Sequence, residues 1–113
     1  MVNGDLLRKK GYEFYKECLT EMNNKHFVGL YQKYIHDNFN VLFYINIKEY
    51  DYSDNEVVKT IFGKRVFMAS VQFIKKDGMI FDCEFNIKKD MTINQIEKFF
   101  IDMYDKMECI PCD

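Results

Sequence analysis

The feature that most constrains the fold of this chain is a pair of neighbouring segments in which every second residue is apolar. The first segment, residues 65–74, has at alternate positions Phe67, Ala69, Val71 and Phe73. The second segment, residues 79–87, repeats the pattern with Met79, Phe81, Cys83, Phe85 and Ile87. Alternation with a period of two is typical of strands that bury one face. A short polar break between two such strands predicts an antiparallel hairpin.

The register of this hairpin follows from the fact that directly paired residues share one face of the sheet. Pairing Phe73 with Phe81 leaves a loop at residues 76–78, which ends in Gly78. A type I turn closed by a glycine in the left-handed conformation is a common connection of this length. Turn chemistry and hydrophobic pattern therefore indicate the same register.

Two further strands and a helix are predicted after the N-terminal region. Residues 39–48 alternate in the same way and predict a strand. Residues 51–55 predict a turn, and the β-branched and aromatic residues 57–62 predict a short strand. Thr92 and Gln95 have the spacing of a capping box before an apolar stripe, which predicts a C-terminal helix.

Two N-terminal helices are predicted from apolar residues at spacings of three and four. The first covers residues 5–22, and its stripe consists of Leu7, Gly11, Phe14, Tyr15, Cys18 and Met22. The second is capped by Asn23 or Asn24 and ends near Asn38, and its stripe consists of Phe27, Leu30, Tyr31, Tyr34 and Ile35.

These elements predict an α+β fold. We expect two N-terminal helices, an antiparallel β-meander of three to four strands and a C-terminal helix, with the helices packed on one sheet face. A chain of 113 residues, 48% of them hydrophobic, suits a single domain over residues 1–113. Residues 108–113 are expected to form a C-terminal tail.

Charge and hydropathy exclude several classes of protein. The formal net charge of −2 argues against a basic nucleic-acid-binding tail. The longest uncharged stretch, roughly residues 39–47, is far shorter than the ~18 apolar residues of a membrane span. The first residues lack the pattern of a signal peptide. We therefore expect a cytoplasmic protein with no membrane partner.

Few residues offer chemistry. Cys109 and Cys112 have C-x-x-C spacing, but they follow a helix C-terminus, where the helix dipole disfavours a thiolate. A structural zinc site at this pair would need two further ligands. The candidates, Cys18, Cys83, His26 and His36, do not form a second closely spaced pair. No catalytic motif is present. We expect no metal and no cofactor, and favour a binding protein over an enzyme, with a metal or thiol module at Cys109 and Cys112 as a minor alternative.

The sheet face that points away from the predicted helices is unusually apolar for a solvated surface. It includes Leu42, Tyr44, Val66, Met68, Ile74 and Ile80, beside Asn40, Gln72, Asp82 and Glu84. A mixed patch with Tyr and Met is typical of a surface that binds a partner or a second copy. We therefore predict partner contacts at Leu42, Tyr44 and Met68. The alternative is that residues 50–63 or the N-terminal helix cover this face.

The loop at residues 49–56 combines four carboxylates with two tyrosines. It lacks the spacing of an EF-hand calcium loop. Tyr is enriched at interfaces and acidic loops suit basic partner surfaces. The loop adds Tyr50, Asp51, Tyr52 and Asp54 to the predicted partner-binding residues, and a solvated turn is the alternative.

These patterns predict a non-catalytic protein-binding module, with a homodimer as a further option. Eleven Phe, eight Tyr and seven Met with one Pro and no Trp are typical of low-GC coding sequences, which include many phages and mobile elements. That composition concerns the origin of the gene. The apolar sheet face and the Tyr-rich acidic loop predict the activity, namely that of an inhibitor or adaptor that acts by stoichiometric binding to a host protein. The alternative is nucleic-acid or nucleotide binding by an anion site at one hairpin end, formed by Lys64, Arg65, Lys88 and Lys89.

Overall fold

The computed structural model of the chain describes residues 2–38, 41–75, 80–87 and 91–108. In this part of the chain the α-helices are α1 (Gly4–Lys9), α2 (Glu56–Phe62) and α3 (Ile93–Glu108). One turn of 3₁₀ helix spans Leu19–Glu21. The strands are β1 (Glu13–Tyr15), β2 (Phe27–Asn38), β3 (Val41–Asp51), β4 (Arg65–Lys75) and β5 (Ile80–Asn86). The fold therefore combines helices with an antiparallel sheet, as the sequence predicts.

The five strands lie side by side in chain order, and each pairs antiparallel with the next. β3 and β4 are both 11 residues long, and β3 is the central strand. The predicted hairpin register is confirmed, because Phe73 pairs with Phe81 and Met68 pairs with Asn86. The turn predicted at residues 76–78 lies outside the described residues.

One face of the sheet, called the inner face, is covered by α1 and α3. The core residues that β3 and β4 place on it are Phe43, Ile45, Ile47, Ala69 and Val71. They form one cluster with Leu7 of α1 and with Ile96 and Phe100 of α3, which are fully buried. Burial of one such side chain contributes about 1.5–3 kcal/mol. This layer is therefore the main hydrophobic core.

Helix α3 is fixed at its start and along its length by polar contacts. Gln95 N donates a hydrogen bond to Thr92 Oγ1 at 3.2 Å, and Thr92 N donates to Gln95 Oε1 at 2.8 Å. This reciprocal pair confirms the predicted capping box. Further along the helix, Glu97 Oε1 accepts hydrogen bonds from Tyr12 OH at 3.2 Å and Lys33 Nζ at 3.1 Å. These contacts tie α3 to β2 and to the segment before β1.

The prediction of a first helix over residues 5–22 is correct at its start and wrong beyond Lys9. Helix α1 is capped by the Asn3 side chain and ends at Lys9. Gly11 has a φ of +92°, a conformation that suits glycine and that ends a helix. Phe14 then pairs with Tyr31 in the β1–β2 ladder. Part of the apolar stripe therefore belongs to a short strand.

The second predicted helix, residues 24–38, is also wrong, because most of this segment forms β2. A bulge between Tyr34 and His36 interrupts the alternation of the strand. Tyr31 and Ile35 both contact the core, because residues four positions apart lie on the same face of a strand. This spacing imitates the face of a helix, and only pairing with β3 reveals the strand.

The short strand predicted at residues 57–62 is helix α2 instead. The Asn55 side chain accepts a hydrogen bond from Val58 N at 3.0 Å, and Gly63 ends the helix with a φ of +94°. This cap outweighs the β propensity of the segment. The sheet nevertheless has five strands rather than three or four, because β1 and β2 form in place of the predicted N-terminal helices. The expectation that all helices share one face is also wrong, because Val58 and Phe62 line a pocket on the opposite face.

The main core predicts a large difference between two isoleucines of α3. Ile96→Ala removes a fully buried side chain and is expected to lower the free energy of unfolding by about 2–5 kcal/mol. Ile101→Ala, at a position that is 38% exposed on the same helix, should cost less than about 1 kcal/mol. Urea denaturation of both variants measures the two losses. Equal losses would contradict the assignment of Ile96 to the core.

Candidate functional site

The opposite face of the sheet, called the outer face, is polar at its centre. Asn46 and Ser70 are each 7% exposed, and Gln32 Nε2 donates a hydrogen bond to Asn46 Oδ1 at 2.9 Å. On either side of this centre are residues that the sequence places on this face, namely Leu42, Tyr44, Val66 and Met68. The polar centre therefore separates two apolar ends.

The first end, called the open end, carries Tyr34, Leu42 and Tyr44. Leu42 is 37% exposed and Tyr34 is 48% exposed. The rings of Tyr34 and Tyr44, which are paired across β2 and β3, lie 5.4 Å apart. Two of the predicted partner-binding residues, Leu42 and Tyr44, are therefore at an accessible surface beside a third aromatic residue.

The second end forms a pocket of about 350 Å³, called the outer pocket. Its floor comes from β3 and β4, and its walls come from residues 16–26 and 52–64, which pass over the sheet. The lining residues are Glu21, Asn24, Tyr50, Tyr52, Val58, Phe62, Val66 and Met68. Own-chain segments thus partly cover this end of the face, as one sequence-based alternative proposed, but they leave a cavity.

Glu21 is the ionic centre of the outer pocket. Its carboxylate lies 3.3 Å from Lys48 Nζ and accepts a hydrogen bond from Asn24 Nδ2 at 3.3 Å. Burial and then the Glu21 carboxylate raise the pKa of the Tyr50 hydroxyl well above its ordinary value. The Tyr50 hydroxyl therefore stays protonated beside Glu21, and the ion pair with Lys48 holds residues 16–26 against the sheet.

Tyr52 forms a wall of the pocket beside a histidine–aspartate pair. Its ring stacks on the His26 ring with centroids 4.4 Å apart. His26 Nε2 lies 3.1 Å from Asp54 Oδ1, and Lys25 Nζ lies 3.8 Å from Asp54 Oδ2. The backbone N of Asp51 donates a hydrogen bond to His26 O at 2.8 Å. These contacts join the two wall segments to each other.

The two wall segments expose large apolar side chains around the pocket. In residues 16–26 these are Leu19 at 90% and Met22 at 67% exposure. In α2 they are Val57 at 69%, Ile61 at 62% and Phe62 at 51%. These five residues, called the apolar rim, extend the outer face beyond the sheet itself.

The acidic loop that the sequence nominates is divided between the two faces. Arg65 Nη1 lies 2.7 Å from Glu49 Oε2 on the inner side, and Arg65 Nη2 lies 3.4 Å from Asp51 Oδ2. Hydrogen bonds from Ser53 hold the pKa of Asp51 below its usual value. The Tyr50 side chain lies on the outer face, where the wall segments leave it 5% exposed. Tyr50 and Tyr52 therefore line the outer pocket and Asp54 contacts His26 beside it, whereas Asp51 pairs with Arg65.

The predicted anion site is only partly described. Lys64 is exposed, whereas Arg65 is engaged by two carboxylates. Lys88 and Lys89 lie outside the described residues. Since the charge of Arg65 is already offset, it is a weaker anion ligand than the sequence suggests.

Sequence reasoning missed four lining residues of the outer pocket: Glu21, Asn24, Val58 and Phe62. Each lies in a segment whose secondary structure was predicted differently. The available sequence signal for this wall was the pair of apolar residues Leu19 and Met22, which flank Glu21 in the chain. Their significance depends on the contact between Glu21 and Lys48, which are far apart in sequence.

The cysteines give no metal centre in the described part of the chain. Cys18 is free and partly exposed, and Cys109 and Cys112 lie outside the described residues. Among the described side chains, no group of three His, Cys, Asp or Glu is arranged to hold a metal ion. Within the same ranges, no helix has the length and apolar character that a bilayer crossing requires.

Neither a protein-family model, nor a curated protein, nor a solved structure matches this chain. Function is therefore inferred from the outer face itself.

The pairing of Arg65 predicts that it stabilises the fold. Arg65→Ala leaves the Glu49 carboxylate, 10% exposed, without its cation and is expected to cost about 1–3 kcal/mol in free energy of unfolding. The neighbouring exposed Lys64→Ala is the control and should stay within about 0.5 kcal/mol of the parent chain. Adding Glu49→Gln to Arg65→Ala should restore part of the loss, because an amide costs less to bury than a charge. Equal effects of the two single variants in urea denaturation would contradict this role.

The environment of Tyr50 predicts a loss of stability at alkaline pH. Its pKa in the folded chain lies above the ordinary value of 10.0, so the folded state favours the protonated hydroxyl. This contribution is complete below about pH 10 and is lost as the pH rises further, because the unfolded chain then releases the proton first. Tyr50→Phe should therefore reduce the dependence of unfolding free energy on pH above about pH 10. The unfolding free energy of Tyr50→Phe should still depend on pH to some extent, because burial and Glu97 also raise the pKa of Tyr12. Identical slopes for Tyr50→Phe and the parent chain would refute the assignment.

Proposed function

We propose that this chain is a non-catalytic protein-binding module that acts by stoichiometric binding through its outer face. Its action is that of an inhibitor or adaptor, of the kind that phages and mobile elements encode against host proteins. The bound partner is a different protein chain. Binding of this type blocks or bridges surfaces, so it requires a rigid scaffold and an accessible patch.

The observation that carries this proposal is the concentration of exposed apolar side chains on the outer side of the molecule. Single exposed apolar residues are ordinary on protein surfaces, whereas contiguous groups mark interaction sites. Here the apolar rim belongs to the two segments that wall the outer pocket, and the open end adds Leu42 and Tyr34 at 37% and 48% exposure. The two regions lie at opposite ends of one face.

The chemical character of the face also supports a protein partner. Tyr, Phe and Met are enriched in protein interfaces, and the outer face combines Tyr34, Tyr44, Tyr52, Phe62 and Met68. Its polar centre offers hydrogen-bonding groups between the apolar ends, as mixed interfaces require. The eleven-residue strands β3 and β4 give this surface a rigid base.

Individual residues have different roles in the proposed surface. Leu42, Tyr44, Met68 and Tyr52 contact the partner directly. Tyr50 supports the pocket from below through Glu21. Asp54 orients His26 at the edge of the pocket, and Asp51 acts indirectly by holding the turn through its hydrogen bonds with Ser53. These assignments extend the sequence-based set with positions that the fold provides.

A pair of matched substitutions tests the proposal. Leu42→Asp places a charge on the outer face, and Leu6→Asp places the same charge on α1 at a similar exposure, 37% against 40%. Both variants should remain folded, as circular dichroism and thermal melting would show. In affinity capture from a lysate of the encoding organism or its host, the parent chain and Leu6→Asp should retain the same partner. The amount of that partner captured by Leu42→Asp should be at least about tenfold lower.

Equal capture by all three chains, or no protein that distinguishes them, would overturn binding through the outer face. Light scattering at several concentrations tests the choice of partner. A mass of 13.7 kDa, that of one chain, is expected. A stable dimer that Leu42→Asp dissociates would instead assign this face to a second copy of the chain.

A further inference from the structure

We propose that the outer pocket receives an arginine side chain of the bound partner. The inference rests on the proposed protein-binding function and specifies the chemistry of one contact within it. Three properties of the pocket carry it: an excess of negative charge, a carboxylate with remaining hydrogen-bonding capacity, and aromatic and apolar walls.

Within the cluster formed by Lys48, Glu21 and Glu84, negative charge exceeds positive charge. Lys48 Nζ lies 3.3 Å from Glu21 Oε1 and 4.0 Å from Glu84 Oε2, so one ammonium group serves two carboxylates. The side chains of Lys48 and Glu21 are only 15% and 18% exposed, which weakens screening by solvent. The same negative field acts on Tyr50, whose pKa is raised first by burial and then by Glu21 and Glu84. A ligand with one positive charge would neutralise this site.

Glu21 has room for another donor. A carboxylate offers about four hydrogen-bonding positions on its two oxygens. Lys48 contacts Oε1 and Asn24 contacts Oε2, so hydrogen-bonding positions remain on both oxygens. A cationic group that enters the pocket can therefore make a charge-assisted hydrogen bond without displacing a structural partner.

The walls favour a guanidinium group over an ammonium group. Tyr52 and Phe62 contribute aromatic rings to the lining, and Val58, Val66 and Met68 contribute apolar surface. A guanidinium ion is planar, stacks on aromatic rings and is more weakly hydrated than an ammonium ion, so its transfer into such a pocket costs less. Its three methylene groups can pack on the apolar wall.

The size of the pocket suits one side chain. Sites for whole small molecules measure about 300–1,000 Å³. At about 350 Å³ the outer pocket is near the lower limit of that range, and Phe62 of the apolar rim is one of its lining residues. A single partner residue can therefore occupy it while neighbouring partner residues contact the rim.

Methyl NMR spectroscopy tests the inference without knowledge of the partner. The chain is labelled at its methionine methyl groups and titrated with Nα-acetyl-L-arginine amide. Met68 lines the pocket, whereas Met91 and Met103 pack against the core on the inner face and serve as internal references. The Met68 signal should shift saturably with a dissociation constant in the millimolar range, as expected for a single side chain, and the reference signals should stay in place.

Matched ligands and variants identify the cause of binding. Nα-acetyl-L-citrulline amide has the same shape without the charge and should bind at least about fivefold more weakly. Glu21→Gln should weaken binding of the arginine amide by a similar factor, and Phe62→Ala should weaken it while leaving every charge in place. Asp102→Asn, which removes one negative charge from α3, should not change it.

Equal binding of the arginine and citrulline amides would assign the pocket to a neutral side chain and overturn the inference. A Met68 signal that does not move, or affinity unchanged in both Glu21→Gln and Phe62→Ala, would also overturn it. These results are independent of the capture experiment. If Leu42→Asp still abolished partner capture, the protein-binding function would stand without the arginine contact.

Discussion

The structure depends on the burial of Phe43, Ile45 and Ile47, the odd-numbered residues of the central strand, beneath α3. Because successive side chains of a strand point to opposite faces, this burial sends Lys48 and Tyr50 to the outer face. A slip of one residue would exchange the two sets and place a lysine in the core. The hydrophobic requirement on one side of the sheet therefore determines which chemical groups are available on the other.

The outer pocket depends on that outcome. Lys48 and Tyr50 both contact Glu21, and these contacts hold residues 16–26 over the end of the sheet. On the other side, Tyr52 N donates a hydrogen bond to Lys64 O at 2.8 Å, which closes the segment that contains α2. Polar contacts thus position both connections: residues 16–26 through the central strand, and the connection that contains α2 through a hydrogen bond between its own ends. The cavity is the space that they leave between them.

How far the sequence predicted these features differs from element to element. The β4–β5 register and the capping box of α3 were predictable because each depends on residues that are close in the chain. β2 was mistaken for a helix because a spacing of four, as between Tyr31 and Ile35, fits one face of a strand as well as one face of a helix. α2 was mistaken for a strand because its apolar residues are β-branched, while the decisive signal was the single side-chain cap of Asn55.

By itself, the sequence determined the alternation of the central strands, and hence the identity of the buried face and the placement of Leu42, Tyr44 and Met68 on the other face. Period and local turn chemistry suffice for this, since neither requires knowledge of distant contacts. Only the tertiary structure decided that Glu21 meets Lys48, that Arg65 is engaged by Glu49 and Asp51, and that α2 borders a pocket. Each of these depends on the relative placement of separate segments, which hydrophobic burial of the central sheet imposes and which no local pattern encodes.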